Sequence, residues 1–162
     1  MAAQRQLIVM RHAKAGELPG GPDAERALKE RGRRDSARAG QWLRDRGFVP
    51  ASVICSSARR TRQTWQYVSA ELGAEVSFSA DPRLYQADVP GLLEVIAEAP
   101  AGVSSLMYVG HNPAAAELAA DLTGIELDFP TAAIAVVRLP SPWPDIAAGT
   151  GELVASWTPR GG

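Results

Sequence analysis

The sequence predicts a three-layer α/β/α sandwich built around a mainly parallel β-sheet. Short apolar runs of strand length alternate with longer stretches in which apolar residues recur at helical spacing. Gly, Pro, Ser and Asn separate these stretches, as they do at the ends of helices and strands. Because parallel strands need crossover connections, this alternation favours a sheet that helices cover on both faces. The 162 residues are expected to form one domain, residues 1–162.

Six strands and four helices are predicted from these patterns. The strands cover residues 6–10, 53–55, 76–78, 106–109, 134–137 and 153–155. The helices cover residues 35–46, 58–72, 89–99 and 113–122, and the first of them can begin earlier. The last two strands are expected to pair antiparallel at an edge of the sheet.

The ends of these elements carry recognisable signals. Gly47, Gly73 and Gly124 follow three of the helices as carboxyl-terminal caps, and Ser56 or Ser57 is expected to cap the second helix. Residues 16–22 form a Gly- and Pro-rich loop, and residues 140–151 are expected to form a surface excursion.

Composition excludes several classes of function. Apolar residues make up 46% of the chain and charged residues 22%, with a net charge of −1, so neither nucleic acid nor a membrane is expected as a partner. The first apolar run is too short for a signal peptide or a spanning helix, and a cytoplasmic location is therefore expected. Cys55 is the only cysteine, which rules out an intrachain disulfide and a cysteine-rich metal site.

The two histidines of the chain occupy equivalent places. His12 follows the first predicted strand, and His111 follows the fourth. Open α/β sheets bind ligands at the carboxyl ends of their strands. We therefore expect both imidazoles to reach one pocket.

Three arginines lie at similar segment boundaries. Arg11, Arg26 and Arg60 carry the planar fork that matches two oxygens of a phosphoryl group, so a dianion is the natural ligand. For Arg26 the alternative is a surface ion pair with Asp23 or Glu25, which would contribute little stability.

No cofactor or metal is expected at this site. The chain contains neither a phosphate-binding P-loop motif nor a convincing set of chelating carboxylates, and two histidines with one cysteine make a poor zinc site. The remaining chemistry is nucleophilic catalysis, in which a neutral imidazole attacks phosphorus and water later hydrolyses the phosphoramidate. His12 would carry that phosphoryl group.

Four motifs resemble those of the histidine phosphatase superfamily, and they occur in the same order. The first is Leu-Ile-Val-Met-Arg-His-Ala at residues 7–13, similar to the family's Arg-His-Gly/Ala signature. The others are Glu-Arg-Ala-Leu at 25–28 with Arg-Gly at 31–32, Ser-Ser-Ala-Arg-Arg-Thr-Arg-Gln-Thr at 56–64, and Val-Gly-His-Asn-Pro at 109–113. The short length resembles the small SixA-type phosphohistidine phosphatases.

The resemblance implies a phosphoglycerate mutase-like fold and a role for each site residue. It makes His12 the nucleophile and places Arg11, Arg60, His111 and Arg26 around the transferring phosphoryl group. Departures from the family pattern are Ala27 and Ser57 in place of prolines, together with the lack of an evident carboxylate on an inserted segment to protonate the leaving group.

Asp88 is the nearest candidate for that general acid by its order along the chain. The alternative is that it caps the helix beginning near Val89. A phosphohistidine substrate would ease the need for an acid, because its leaving imidazole can be protonated by solvent or by His111.

Three functions remain open at this point. The leading hypothesis is a metal-independent phosphatase that removes phosphate from phosphohistidine on a partner protein. The second is a phosphomonoesterase of the same fold that acts on small phosphorylated substrates. The third is a phosphoprotein-binding module without turnover, which would have no need for an attackable imidazole.

Overall fold

The computed structural model describes residues 4–160. Within them lie the strands β1 (Arg5–Arg11), β2 (Ser52–Ser56), β3 (Ser77–Asp81), β4 (Ser105–Gly110), β5 (Ile134–Leu139) and β6 (Glu152–Trp157). The helices are α1 (Glu30–Arg46), α2 (Arg59–Leu72), α3 (Val89–Ile96) and α4 (Ala114–Thr123). Short 3-10 helices cover Asp23–Glu25, Pro82–Leu84 and Trp143–Asp145.

All six strands join one mixed sheet in the order β3-β2-β4-β1-β5-β6. The first four run parallel, β5 is antiparallel to β1, and β6 is antiparallel to β5. This confirms the predicted mainly parallel sheet and the antiparallel pairing of the last two strands. None of the helices within residues 4–160 has the length and apolar character needed to cross a membrane.

Strand β1 shows how the sheet separates two apolar layers. Its side chains alternate between the faces, as the period of an extended chain requires. Leu7 and Val9 pack into a cluster with residues of α3 and α4, whereas Ile8 and Met10 pack into a cluster with residues of α1 and α2. All four are fully buried. The sheet is therefore covered on both faces, which confirms the three-layer architecture.

The register of the parallel strands brings three strand ends to one edge. Arg11 at the end of β1 pairs with Gly110 at the end of β4, and Cys55 of β2 pairs with Val109. The residues that follow these strands consequently emerge side by side, which is the arrangement expected at the ligand-binding edge of an α/β sheet.

Helix α1 approaches this edge closely because Gly32 lies in its first turns. A Cβ atom at Gly32 would lie 2.2 Å from the carbonyl oxygen of Lys14, in the loop after β1. The amide of Lys29 donates to that same oxygen at 2.9 Å. Glycine thus lets the start of the helix rest directly on the backbone that carries His12.

Several predicted boundaries differ from the structure, and those of α1, β3 and α3 differ most. Helix α1 begins at Glu30, and its polar first turn carries no apolar periodicity that could have marked the start. Strand β3 begins at Ser77, after Val76, and four of its five residues are exposed because it lies at the sheet edge. Helix α3 ends at Ile96, since the amides of Glu98 and Ala99 bond to carbonyls three residues back.

The predicted serine cap of α2 is wrong. The N-cap residue is Ala58, which makes no side-chain capping bond, and the helix begins at Arg59. The hydroxyl of Ser56 lies 2.8 Å from the His111 imidazole and also accepts the amide of Ala58. Its side chain is therefore part of the strand edge.

The connection at residues 140–151 lies mostly on the surface, as predicted, and Trp143 anchors it. Trp143 is 1% exposed, and its indole N–H donates to the carbonyl of Val103 at 2.8 Å. A buried tryptophan with a satisfied N–H fixes this connection to the apolar layer of α3 and α4.

Candidate active site

The two histidines meet at the carboxyl edge of the sheet. Their ring centroids lie 5.4 Å apart, with the planes tilted by 57°. His12 is buried at 8% exposure, and His111 is partly buried. Residues 99 positions apart thus face one space, because β1 and β4 are adjacent parallel strands.

Hydrogen bonding selects one tautomer of His12. Its Nδ1 lies 2.8 Å from the carbonyl oxygen of Ala13. A carbonyl oxygen can only accept, so Nδ1 carries the hydrogen and Nε2 keeps a free lone pair. The amide of Ala13 is held in turn by the hydroxyl of Thr64 at 3.0 Å, and that hydroxyl donates to the carbonyl of Arg60. Helix α2 therefore orients the imidazole through the backbone of Ala13.

The opposite tautomer is selected at His111. The Arg60 guanidinium lies 3.4 Å from its Nδ1, and the Ser56 hydroxyl lies 2.8 Å from its Nε2. A guanidinium can only donate, so Nδ1 is the acceptor and Nε2–H donates to Ser56. His111 is thereby fixed between β2 and the start of α2.

Both imidazoles are neutral at pH 7. Burial lowers the pKa of His12 to about 3, assisted by the nearby His111, Arg60 and Arg11, although the bond to Ala13 opposes the shift. Burial and the charge of Arg60 lower the pKa of His111 to about 4. A neutral imidazole with a free nitrogen is the form that attacks phosphorus.

A cationic cavity of about 290 Å³, which we call the phosphate cavity, adjoins these rings. Its charged and imidazole-bearing lining residues are Arg11, His12, Lys14, Arg26, Arg60 and His111. The structure thus brings the three arginines and both histidines selected from the sequence around one space.

Arg11 and Arg60 each keep a donor that has no partner among residues 4–160, since the Nε of each is buried without a hydrogen bond. Arg60 is only 6% exposed, and burial lowers the pKa of Arg11. Both Nε atoms are fully buried, so their unmet hydrogen bonds cost stability and lie out of reach of an anion in the cavity.

Arg26 takes part in both arrangements that its sequence position allowed. Its Nε donates to the carboxylate of Asp23 at 2.9 Å, and NH1 donates to the carbonyl of Gly16 at 3.3 Å. The side chain also lines the phosphate cavity. The surface pair with Asp23 therefore holds this guanidinium beside the cavity.

Sequence reasoning missed the central role of Asp23. Its carboxylate accepts from Arg60 at 3.0 Å and from the Tyr85 hydroxyl at 2.5 Å, in addition to Arg26. These hydrogen bonds, that of Tyr85 first, lower its pKa to about 2. Tyr85 lies 62 residues away, and no local pattern could reveal that contact.

Ser56 and Thr64 were likewise not recognised as positioning residues. Thr64 is the last residue of the motif at residues 56–64 that resembles the superfamily, and membership of that motif is the sequence signal for a role in the site. Ser56 was assigned to a helix cap, because a serine before a helix is read that way when only local order is known.

The chain belongs to the histidine phosphatase superfamily (branch 1). The family matches residues 7–89, which include His12, Arg26 and Arg60. His111 lies beyond the matched range, and the sheet geometry is what joins it to the site.

Relatives cover nearly the whole of this superfamily chain. An uncharacterized protein of Mycobacterium tuberculosis is 35% identical over 162 residues, covering 93% of this chain and 100% of the relative. A solved structure from Nakamurella multipartitia, assigned as the phosphohistidine phosphatase SixA, is 32% identical with a TM-score of 0.86 and covers 98% of each chain.

A second solved structure is the protein histidine phosphatase SixA complexed with tungstate. It is 28% identical with a TM-score of 0.77, covering 95% of this chain and 97% of that one. These matches confirm a SixA-type member with the phosphoglycerate mutase-like fold, and they support a phosphatase activity.

A second cavity of about 440 Å³ adjoins the phosphate cavity, and we call it the side cavity. The two share Arg60, His111 and Asn112. Asp88 lines the side cavity, and its carboxylate caps α3 by accepting the amide of Gly91 at 2.9 Å. The helix cap weighed from the sequence is therefore present, while the general-acid role of Asp88 stays a prediction.

Proposed function

We propose that the protein is a metal-independent phosphatase that works through a phosphohistidine intermediate on His12. The observation that carries this proposal is the His12 ring itself. Its Nδ1 hydrogen is held by Ala13, and its Nε2 lone pair is left free beside a cavity lined by arginines. This arrangement prepares a neutral nucleophile next to a site for a dianion.

The first chemical step is an in-line displacement at phosphorus. The lone pair of His12 Nε2 forms the new P–N bond, while the bond to the leaving group breaks and its electron pair departs with that group. Arg11, Arg60 and Arg26 donate to the non-bridging oxygens. His111 lines the same cavity, and its Nε2–H can stabilise a phosphoryl oxygen once it exchanges its bond to Ser56 for one to the transferring group.

The second step returns the enzyme to its starting state. Water attacks the phosphoryl group, the P–N bond breaks, and its electron pair returns to Nε2 of His12. The hydrogen stays on Nδ1 throughout, hydrogen-bonded to the carbonyl of Ala13, so the ring is restored in the same tautomer. Dihydrogen phosphate is released and loses a proton to solvent.

Arginine supplies the positive charge that divalent cations supply in many phosphoryl-transfer enzymes. Three guanidinium groups and Lys14 surround the phosphate cavity. This concentration of positive charge supports binding of a phosphoryl dianion by the protein alone.

We propose phosphohistidine on a partner protein as the substrate class. Two solved SixA-type structures, at 32% and 28% identity, support this choice. The second observation that supports this choice is the ionisation of the carboxyl group of Asp23. The low pKa of Asp23, about 2, makes it a poor proton donor at neutral pH. A phosphoramidate needs such a donor less than a phosphate ester does.

Trapping the intermediate tests this function. After incubation with radiolabelled phosphoramidate, we expect label that is labile to acid and stable to alkali on the peptide that contains His12. The His12→Asn variant should take up none. Absence of label, or label at another residue, would overturn the proposed mechanism, and binding without turnover would favour the phosphoprotein-binding module.

Hydrolysis rates would then rank the substrates. A phosphohistidine protein and a panel of phosphate esters would be compared by kcat/KM, with the phosphohistidine protein expected to be preferred. Equal rates throughout would favour a phosphomonoesterase. Asp88→Asn would belong in this panel, because a general acid should matter more for esters than for phosphohistidine.

A further inference from the structure

The side cavity is placed to receive the leaving group. In an in-line displacement the leaving group departs on the side of phosphorus away from the attacking nitrogen. The side cavity adjoins the phosphate cavity at Arg60, His111 and Asn112, and His12 does not line it. It is therefore open space that borders the phosphate cavity and that the attacking imidazole does not line.

The two cavities carry opposite charge. The described lining of the phosphate cavity holds four cationic side chains and no carboxylate. The described lining of the side cavity holds three carboxylates, Asp23, Asp88 and Glu117, and one cation, Arg60. Asp23 is paired with Arg60 and Arg26. Asp88 and Glu117 form no ion pair within residues 4–160, and the only described partner of the Asp88 carboxylate is the Gly91 amide that it caps.

Arg60 lies at the junction of the two cavities and lines both of them. It is 6% exposed, it donates to the backbone carbonyl and the carboxylate of Asp23, and it lies 3.4 Å from the His111 imidazole. The same buried guanidinium therefore borders the space for the phosphoryl group and the space beside it.

We propose that the side cavity is a leaving-group subsite that selects cationic protein segments. It accepts a phosphohistidine flanked by Lys or Arg, and it disfavours leaving groups that carry carboxylate or additional phosphate. Opposite charge favours the encounter, and like charge opposes it. This inference rests on the proposed function and names the chemistry of the partner surface.

The same carboxylates assist the leaving imidazole. A phosphohistidine ring that carries a proton on its other nitrogen is cationic, and Asp88 and Glu117 would stabilise that form. When the P–N bond breaks, its electron pair stays on the departing nitrogen, and the ring leaves as neutral imidazole. No further proton transfer is needed, so the subsite replaces a general acid by electrostatics.

Two peptides of equal length test the selectivity. Each carries one phosphohistidine, flanked by lysines in one peptide and by glutamates in the other, and kcat/KM is measured for both. Wild-type protein is expected to prefer the basic peptide by about tenfold, with a smaller ratio at high salt. The same ratio is then measured in the Asp88→Asn/Glu117→Gln double variant, where it is expected to fall below about threefold.

The substitutions are chosen to preserve structure. Asn is as good an N-cap as Asp, so α3 keeps its cap, and Glu117 is exposed. Glu75→Gln is the matched control, because Glu75 is exposed and precedes β3, at the opposite edge of the parallel strands. This control should keep the wild-type ratio.

Inorganic phosphoramidate has no flanking residues, so its turnover distinguishes failure of the subsite from failure of the proposed function. Turnover of phosphoramidate with equal kcat/KM for both peptides would overturn the subsite and leave the proposed function standing. An unchanged preference in the double variant would do the same. Failure to turn over phosphoramidate and both peptides would overturn the proposed function and this inference with it.

Discussion

The phosphate cavity and the side cavity share three residues and differ in nearly everything else. The first is lined by four cations and two neutral imidazoles, whereas the second has three carboxylates around a tyrosine and a glutamine. Asp23 lies at their boundary and bonds to Arg60, Arg26 and Tyr85. Under the proposed function the two cavities would have different tasks: the first would bind the transferred group, and the second would receive the leaving group.

Among these variants, replacement of His12, the proposed nucleophile, is expected to have the largest effect. His12→Asn should lower phosphatase activity by at least about 10⁴-fold, because no other described group offers a free imidazole nitrogen to the phosphate cavity. The assay is steady-state hydrolysis, with circular dichroism as the control for folding. Appreciable turnover in a folded variant would show that catalysis does not run through His12.

The shape of the Arg60 side chain should matter as much as its charge. Arg60→Lys keeps the positive charge and loses the fork, so kcat/KM should fall by about 10²-fold to 10³-fold. The matched control is Arg62→Lys, two positions on in α2, whose side chain is exposed and bonds to the carbonyl of Ser57. Equal losses in the two variants would count against a specific phosphate contact.

The phosphate cavity is lined by Lys14, whose backbone lies directly against Gly32 of α1. Gly32→Ala would place a Cβ atom 2.2 Å from the Lys14 carbonyl oxygen, and we expect it to lower the free energy of unfolding by about 1–3 kcal/mol. Gly102→Ala is the control, since a Cβ atom there meets nothing within 4 Å. Denaturant unfolding of both variants measures the difference, and equal stabilities would contradict the proposed contact.

The orientation of His12 is expected to have a smaller effect. Thr64→Val removes the hydroxyl that holds the Ala13 amide, so kcat should fall by about tenfold while KM changes little. Thr64→Ser keeps the hydroxyl and should restore most of the activity. If Ser and Val variants lose activity equally, the effect comes from packing and not from the hydrogen bond.

The smallest expected effect concerns pH and stability. The pKa of His111 is lowered to about 4 in the folded protein, against an ordinary value of 6.5, so the unfolded chain binds more protons between these values. Stability from this group is therefore present above pH 6.5 and is lost as pH falls toward 4. Because His111 is partly exposed, we expect a discounted loss of about 1 kcal/mol between pH 6.5 and 5.

His111→Gln should remove that part of the pH dependence. The window lies well above the pKa of Asp23, about 2, so the carboxylate at the boundary does not contribute there. Denaturant unfolding at several pH values gives the two curves. Parallel curves for wild type and variant would contradict the buried neutral state of His111.

Much of the fold could be predicted because its signals are local. Apolar runs and Gly47, Gly73 and Gly124 marked strands and helix ends, and each of those glycines adopts the left-handed conformation of a helix cap. The start of α1 was left open and that of β3 was misplaced, because neither element carries such a signal there. The start of α1 is polar, and β3 is exposed at the edge of the sheet.

The site residues show the same contrast between features with a local sequence signal and features that depend on distant segments. The placement of His12 and His111 at strand ends was visible in the sequence, because a parallel sheet brings such ends to one edge. The contacts of Asp23 with Arg60 and Tyr85 were not visible, since they join segments 37 and 62 residues apart. The hydrogen-bond partners that determine the tautomer of each imidazole were not visible in the sequence either.

The sequence by itself determined the alternation of strands and helices, the residue types that suit a phosphoryl dianion, and their order along the chain. Tertiary structure alone decided which ring nitrogen of His12 is free, which donors of Arg60 are satisfied, and that a second, oppositely charged cavity adjoins the first. The reason is physical: periodicity and turn chemistry act between neighbours in the chain, whereas hydrogen-bond pairing, burial and local charge depend on groups that only folding brings together.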